Sequence, residues 1–546
     1  MKIMRLMVFG LLLSTAITTF ISCSDDNDSR SKVLLRPVTT MTTNANEVQL
    51  TWKNVEGASE YVVDIYRVTD SGTELYKSVS TTETSLTIAL DWDDSYQVKI
   101  KCMGNGVESA YWETDPITLT FPTKLGQTRT IDTQALITWE ISEEPITAIT
   151  AAPVGSTAEE DIKLFEVSSE DYATGEMVIT GLEPETSYKI RAYRGSEQTF
   201  DTYEGSTVLT TVAAEDFNAE YGSNLIDLRN EAYDPEYFNN LDWNVLPEGA
   251  TFILPEGKSY NINKPELTIE LSHSVNFVTP QTLGEYATFR FDNAFRVVAD
   301  GSIDKITFKR VNLRAAKELS AVTDNGLSGK QVVCPEVSNF FVNTISFTDC
   351  YIENFRSVVR SKYDSGNVET ISFDGCTINA IGNQGIVSTD GKKGYINNVS
   401  FNECTVTNIC GIADLRNDGS GKNVSITNST FCYAPMENSF LFRVHSSVAV
   451  SIENCIFGGP MKIDGKLPLF NQIGSAGQDD YTGNYPFKPV NSFQSGDHVS
   501  TKGSLGLSSA KMDSNTLFQD PANGNFKLSG SFSGCSSVGA TKWRIQ

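Results

Sequence analysis

Between Ile345 and Phe457 one eight-residue pattern returns five times, and nothing else in the chain restricts its fold so strongly. The copies are Ile345-Ser-Phe-Thr-Asp-Cys-Tyr-Ile352, Ile371-Ser-Phe-Asp-Gly-Cys-Thr-Ile378, Val399-Ser-Phe-Asn-Glu-Cys-Thr-Val406, Val424-Ser-Ile-Thr-Asn-Ser-Thr-Phe431 and Val450-Ser-Ile-Glu-Asn-Cys-Ile-Phe457. Their starts lie 26, 28, 25 and 26 residues apart. Apolar residues hold positions 1, 3, 6 and 8, with Ser429 the exception, so each copy reads as two period-2 strands joined by a polar corner at positions 4 and 5.

A period in the twenties fits either a leucine-rich repeat or a parallel coil of strands. Each repeat carries a second β-rich segment (Ser357–Arg360, Gly385–Ser388, Ile412–Leu415, Phe440–Val444) and neither a helical stretch nor a Leu-x-x-Leu-x-Leu signature, which selects the parallel β-helix. Coils stack about 4.8 Å apart. Phe347, Phe373 and Phe401 should therefore form one inward ladder, and Cys350, Cys376, Cys404 and Cys455 another, interrupted at Ser429.

A chain of 546 residues calls for several domains. Its abundance of Thr, Ser, Asn, Gly and aromatic residues, with little 3.6-residue periodicity, makes it mainly β. The formal charge of −25 argues against nucleic acid as a partner. Over 340–470, however, ten Lys and Arg face twelve Asp and Glu, so an anionic ligand is compatible with that region.

Residues 1–22 form an export signal, with Lys2 and Arg5 ahead of an apolar run too short to span a bilayer comfortably. The following Phe20-Ile-Ser-Cys23 resembles the lipobox of bacterial lipoproteins, which implies acylation of Cys23. Ser24-Asp-Asp-Asn-Asp28, in the 23–35 tether, resembles the acidic tag of Bacteroidetes surface lipoproteins. That resemblance implies anchorage in the outer membrane, facing the cell exterior.

Residues 36–123 read as a β-sandwich with strands at 48–53, 60–67, 85–90 and 96–102 and Trp52 in an early strand. A second copy, 124–213, has Trp139 in the equivalent strand and Leu182-Glu-Pro-Glu-Thr-Ser-Tyr188, which resembles the fibronectin type III hallmark. The parallel β-helix is assigned to 214–460 and irregular terminal coils with a cap to 461–546. A short helix is expected around 223–232, the first coils from Pro247 to Ile262, and a projecting loop at 314–338. Leu517–Leu528 resembles a bacterial β-helix ending that covers the last coil. The expected class is thus all-β: two fibronectin type III-like β-sandwiches followed by a right-handed parallel β-helix. Taken together these features resemble the surface lipoproteins of Bacteroidetes polysaccharide-utilisation systems, with a pectin-lyase-like coil.

That resemblance implies binding of a polysaccharide, acidic and pectin-like, alone or beside other glycan-utilisation surface proteins. The alternative is a polysaccharide lyase acting by β-elimination, which needs a base for the proton α to a uronate carboxylate and a cation for the charge that follows. Arg356, Arg360 and Lys362 lie on one coil, Lys392 and Lys393 on the next, Arg416 on the third, and Arg443 with His445 on the fourth. Ala413-Asp-Leu-Arg416 resembles the arginine strand of chondroitinase-B-like lyases. Lys362 and Arg416 are the catalytic candidates, although the lysine lies two coils back rather than one. Arg360, Tyr363, Arg416, Arg443 and His445 are the substrate-binding candidates. Asp364–Asn367 and Asp418–Asn423 could hold calcium but are equally ordinary turn sequences, and the three His, without ligand spacing, argue against zinc. The Asp pairs at 25–26, 93–94 and 479–480 read as solvated loops, and the repeat-aligned cysteines as free core thiols.

Overall fold

The polar corner of each repeat is built by backbone handedness. Position 5, occupied by Asp349, Gly375, Glu403, Asn428 and Asn454, has φ of 51, 64, 53, 46 and 53°. This left-handed conformation is costly for most side chains and mildest for Gly, Asn and Asp. A hydrogen-bonded ladder supports it: Asn428 Nδ2 donates to Asn402 Oδ1 at 3.3 Å, Asn454 to Asn428 at 3.2 Å and Asn491 to Asn454 at 2.8 Å. A second left-handed corner, at Asn354, Ala380, Asn408 and Tyr433, turns the chain toward its third strand.

The computed structural model describes residues 33–545 except 70–71, 127, 157, 196–197, 200–201, 263–267, 318–330, 363–364, 390–393, 417–420, 437–438, 463–464, 475–486 and 502. The leader, Cys23, Tyr363, Lys392 and Lys393 lie outside the described residues. The chain divides into two compact units. The first holds the described residues up to 126 with Thr138–Met177 and Ser187–Leu209, and the second holds Thr128–Ile137, Val178–Thr186 and the described residues from Thr210 onward.

In the first unit one sandwich pairs Thr39–Asn44, Glu47–Trp52 and Ser85–Ala89 in one sheet, and Gly72–Thr81, Glu60–Thr69 and Ser95–Gly104 in the other. Alternation decides the core: Tyr96, Val98, Ile100 and Cys102 are buried along a single strand while their neighbours are not. Asp91 N donates to the Tyr96 hydroxyl at 3.2 Å, tying the strand to the preceding turn. The second module contributes a four-stranded sheet ordered Lys163–Glu166, Ala148–Pro153, Ser187–Tyr193, Tyr203–Thr210, and a three-stranded sheet of Arg129–Thr130, Gln134–Thr138 and Glu176–Thr180. The division between the units cuts through the last two of these strands.

The second unit is a parallel β-helix with two ten-stranded sheets and a five-stranded third. Register is like on like: Ile345, Phe347 and Cys350 of one coil lie over Ile371, Phe373 and Cys376 of the next. Phe277, Phe308, Phe347, Phe373 and Phe401 stack at ring separations of 5.2, 5.2, 4.9 and 4.8 Å. Each such buried ring contributes about 1.5–3 kcal/mol of apolar burial. The thiols of Cys350, Cys376 and Cys404 donate to carbonyls of the preceding coil at 3.4, 3.4 and 3.5 Å. Ser429 interrupts them because its hydroxyl donates to Thr427 O and accepts from Cys404 N. All nine described cysteines are free.

Several boundaries differ from the sequence expectations. The stretch around 223–232 is not one helix: Phe217–Tyr221 is helical and Leu225–Asp227 is already a β-helix strand, paired with Ala250–Ile253. The loop expected at 314–338 is narrower, since Val311–Ala315 is a strand and Val333 bridges Phe295 and Val359 inside the stack. Past 460 the coils continue through Asn471–Ile473, Phe487–Val490 and Phe493–Gln494. The ending, expected to cover the last coil, packs in a cluster of its own that includes residues of earlier coils. Phe518–Asp520 and Asn525–Leu528 form a hairpin whose cluster includes Cys432 and Ile456, and the chain then runs back along the stack. Along this return Gly539 N bonds Asn454 O, Trp543 Nε1 bonds Thr405 Oγ1 at 2.8 Å, and Lys542 Nζ reaches Thr377 Oγ1 at 3.3 Å.

Candidate functional site

The candidate residues gather on and beside the third sheet, whose strands are three to five residues long. Val359, Val387, Ala413 and Phe442 point into the core. The next residues, Arg360, Ser388, Asp414 and Arg443, are paired in register on successive coils. Strand spacing places them about 4.8 Å apart along the stack.

Asp414 organises the C-terminal half of this row. Its side chain is 5% exposed and takes a bidentate pair from Arg416, with Nε to Oδ1 at 2.9 Å and Nη2 to Oδ2 at 2.6 Å. Arg443 approaches the same carboxylate at 3.4 Å and lies 3.6 Å over the Phe440 ring. Burial raises the Asp414 carboxyl above its ordinary value against the pull of Arg443, Arg416 and Arg360. Burial likewise lowers Arg443, with Asp414 opposing. One carboxylate therefore fixes two guanidinium groups that still offer donors to solvent, a geometry suited to a second carboxylate or a sulfate. His445, half-buried on the same coil, shares its Nδ1 with Ser447 at 2.9 Å.

Glu336 organises the N-terminal half. It pairs with Arg296 at 2.6 Å and with the Lys362 ammonium. A cavity of about 150 Å³ opens here, lined by Arg296, Arg356, Arg360 and Lys362 with Asn293, Gln331, Cys334 and Glu336. The catalytic candidates thus stand on different carboxylates, Lys362 on Glu336 and Arg416 on Asp414, two coils apart. The substrate-binding candidates Arg360, Arg416, Arg443 and His445 share one face. Sequence reasoning missed Asp414, Glu336 and Arg296 as members of this site. Asp414 was visible within the quoted Ala413–Arg416 strand, whereas Arg296 and Glu336 precede the regular repeats. Among the described residues no group of three or more His, Cys, Asp or Glu is placed to hold a metal ion.

The first unit holds a larger cavity of about 910 Å³, lined in part by Arg67, Asp91, Asp93, Asp94, Lys189 and Arg191. The Asp93–Asp94 pair is not a solvated loop. Asp94, 13% exposed, accepts from Lys189 at 2.6 Å and Arg191 at 3.1 Å and faces Arg67 at 3.5 Å. Asp93 accepts from the Tyr203 hydroxyl and from Ser206 at 3.0 Å. Asp91 takes Arg67 at 2.7 Å and the Tyr76 hydroxyl at 3.1 Å; burial and this carboxylate push Tyr76 up to about 12. The charges in this cavity pair with one another.

No family model and no curated protein matches the chain. Among solved structures it is similar to the fn3 domain of human collagen alpha-1(XX), at 19% identity over 17% of this chain and 93% of that one, TM-score 0.15. A two-domain fibronectin type III segment of chicken tenascin matches at 13% identity over 32% and 99%, TM-score 0.15. The FN1–FN3 domains of chicken CNTN1 match at 15% identity over 33% and 67%, TM-score 0.14. Strand order and register define the sandwiches and the β-helix.

Proposed function

We propose that this chain is a lipid-anchored protein of the outer membrane, facing the exterior, whose β-helix binds an acidic, pectin-like polysaccharide during glycan utilisation. One observation carries the reading: in a chain of net charge −25, four cations converge on two carboxylates, Arg296 and Lys362 on Glu336 and Arg416 and Arg443 on Asp414, on and beside the strands of the third sheet. Coil spacing of about 4.8 Å is close to the length of one sugar unit, so an extended chain along the stack can meet cations on several coils. Calcium would enter only as a bridge between the polymer and turn carboxylates.

Lyase action is the second reading, favoured by Asp414: a carboxyl raised by burial and set among arginines joins a candidate base to cations for the charge that follows. Lys362, already paired with Glu336, suits that role less well. The test is retention of the purified chain in gels containing polygalacturonate or a neutral glycan, together with the ultraviolet absorbance of unsaturated uronate. Retention by the acidic polymer without absorbance supports binding, and absorbance growth supports the lyase. Absence of both for a panel of acidic polymers removes the proposal.

A further inference from the structure

We infer that the ten-stranded sheet holding Phe341–Thr348, Asn367–Asp374 and Tyr395–Asn402 is a binding face for an extended, uncharged polysaccharide, which lies along a row of serine hydroxyls. This goes beyond the acidic-polymer reading, since both the face and the ligand chemistry differ.

The row comes from register. Thr307, Ser346, Ser372, Ser400, Ser425 and Ser451 pair in turn from coil to coil. Each stands between two buried residues of its strand, as Ser372 does between Ile371 and Phe373, so alternation turns all six hydroxyls outward. With coils about 4.8 Å apart the row is about 24 Å long. Ser346 donates to Thr307 at 3.2 Å. Among the described residues the hydroxyls of Ser372, Ser400, Ser425 and Ser451 make no hydrogen bond within the protein, and none of these four residues is buried. Each therefore still offers one donor and two acceptor positions to a ligand.

Period and charge give the ligand class. A surface that presents the same hydroxyl at every step suits a partner that repeats at that step. A linear glycan does so, because one sugar unit is close in length to the coil spacing and its hydroxyls both donate and accept; the surface of a folded protein has no such repeat. On the four coils from Ser346 to Ser425, the strand positions two residues before and two after the serine are all Thr or Asn except Asp374, whose carboxylate accepts from Asn402 at 2.8 Å. Within a chain of net charge −25, this part of the sheet thus meets a ligand with neutral groups. A uronate or phosphodiester would give up hydration there without gaining an ion pair, whereas an uncharged glycan exchanges hydroxyl for water at little cost. The short Ser and Thr side chains also let a flat chain approach the strands closely.

The test is affinity electrophoresis of the full chain in gels holding a neutral galactan, a β-glucan or a mannan, with polygalacturonate alongside. At least one neutral polymer should retain the chain, to nearly the same degree in 0.05 and 0.5 M NaCl, because uncharged hydrogen bonds are not screened. Ser372→Ala with Ser400→Ala and Ser425→Ala should weaken that retention about tenfold or more and leave polygalacturonate retention and the thermal midpoint as in the wild type. Oligosaccharides of the retained polymer should bind more tightly with each added unit up to about six, when the row is filled. If the triple variant does not fold, Ser400→Ala alone carries the test with a loss of about threefold. Retention by none of the three neutral polymers, wild-type retention of the serine variants, or retention abolished by salt overturns the inference. So does a dimer in size-exclusion chromatography that the triple variant dissolves while no polymer is retained, which would give the face to a second copy of the chain. A chain held by a neutral polymer and not by polygalacturonate keeps this inference and loses the acidic reading.

Discussion

Two cavities among the described residues differ in how far their charges are withdrawn from water. In the first unit three carboxylates, Asp91, Asp93 and Asp94, face three cations, Arg67, Lys189 and Arg191. Every one of the three carboxylates is engaged by groups of its own unit. On the β-helix Arg296 and Lys362 share Glu336, while Arg356, which lines the same cavity, is exposed. A balanced cluster needs nothing from outside and holds its segments together. Cations that stay open to water, such as Arg356 and Arg416, can still meet a charged ligand.

The sharpest way to break this contrast is to remove a carboxylate from the balanced cluster. Asp94→Asn leaves Lys189, Arg191 and Arg67 crowded around a neutral amide, and a half-buried network deprived of its shared anion loses about 3 kcal/mol. Denaturant unfolding should register that loss while anionic-glycan retention stays at the wild-type level. Reduced glycan binding with unchanged stability would mean that the roles of the two cavities are reversed.

His498 shows a third way to handle a buried polar group, which is to keep it neutral. It is fully buried, with Nε2 to Ala434 O at 3.1 Å and Nδ1 to Gln472 Nε2 at 3.1 Å, so Nε2 carries the proton and Nδ1 accepts. Burial lowers its pKa from 6.5 to about 4. As pH falls through 6.5 the unfolded chain takes up a proton that the folded chain refuses until about pH 4. Stability is therefore complete above about 6.5 and declines toward 4, by up to about 3 kcal/mol. The thermal midpoint measured from pH 7 to pH 4 should fall, and His498→Gln should flatten that slope; an unchanged slope would show that another group is responsible.

On the β-helix, Arg416→Ala is the informative single change. Its side chain is 41% exposed and Asp414 keeps Arg443, so the midpoint should move little. Loss of one bidentate donor should weaken acidic-polymer binding about tenfold or less. Affinity electrophoresis at low salt measures it, and equal mobility shifts for mutant and wild type would take Arg416 out of the ligand track.

The sequence made the coil legible because it imposes the same demand every turn. An inward ring at position 3, a thiol at position 6 and a polar residue in the left-handed corner repeat with the backbone, so Phe347–Phe373–Phe401 and the cysteine ladder follow from spacing. The expected alignment of Arg360, Arg416 and Arg443 is two residues off at Arg416, because register puts Asp414 in the row between Ser388 and Arg443. What spacing cannot reveal is which distant carboxylate each cation finds. Glu336 reaches Lys362 only because Val333 brings 331–336 into the stack across a break in the period. Asp93 and Asp94 looked like a turn, and became the centre of a buried network only through Lys189 and Arg191, 95 and 97 residues away from Asp94.

Salt should separate the two clusters without any mutation, and with the smallest effect on the fold. Added ions screen charges that water can reach and leave desolvated pairs nearly untouched; the Debye length falls from about 10 Å at 0.1 M to about 3 Å at 1 M. Asp94, Lys189 and Arg191 have side-chain exposures of 13, 18 and 21%, and their contacts are direct. Arg416, at 41%, and the exposed Arg356 depend on solvent-screened attraction for any anion they hold. Raising NaCl from 0.05 to 0.5 M should therefore weaken acidic-polymer retention several-fold while shifting the thermal midpoint by less than about 2 °C. Salt-insensitive binding would point to an apolar or neutral hydrogen-bonded contact in place of the cationic row. A large drop in the midpoint would mean that the Asp91–Asp94 network is open to solvent and contributes less to the fold than its geometry implies.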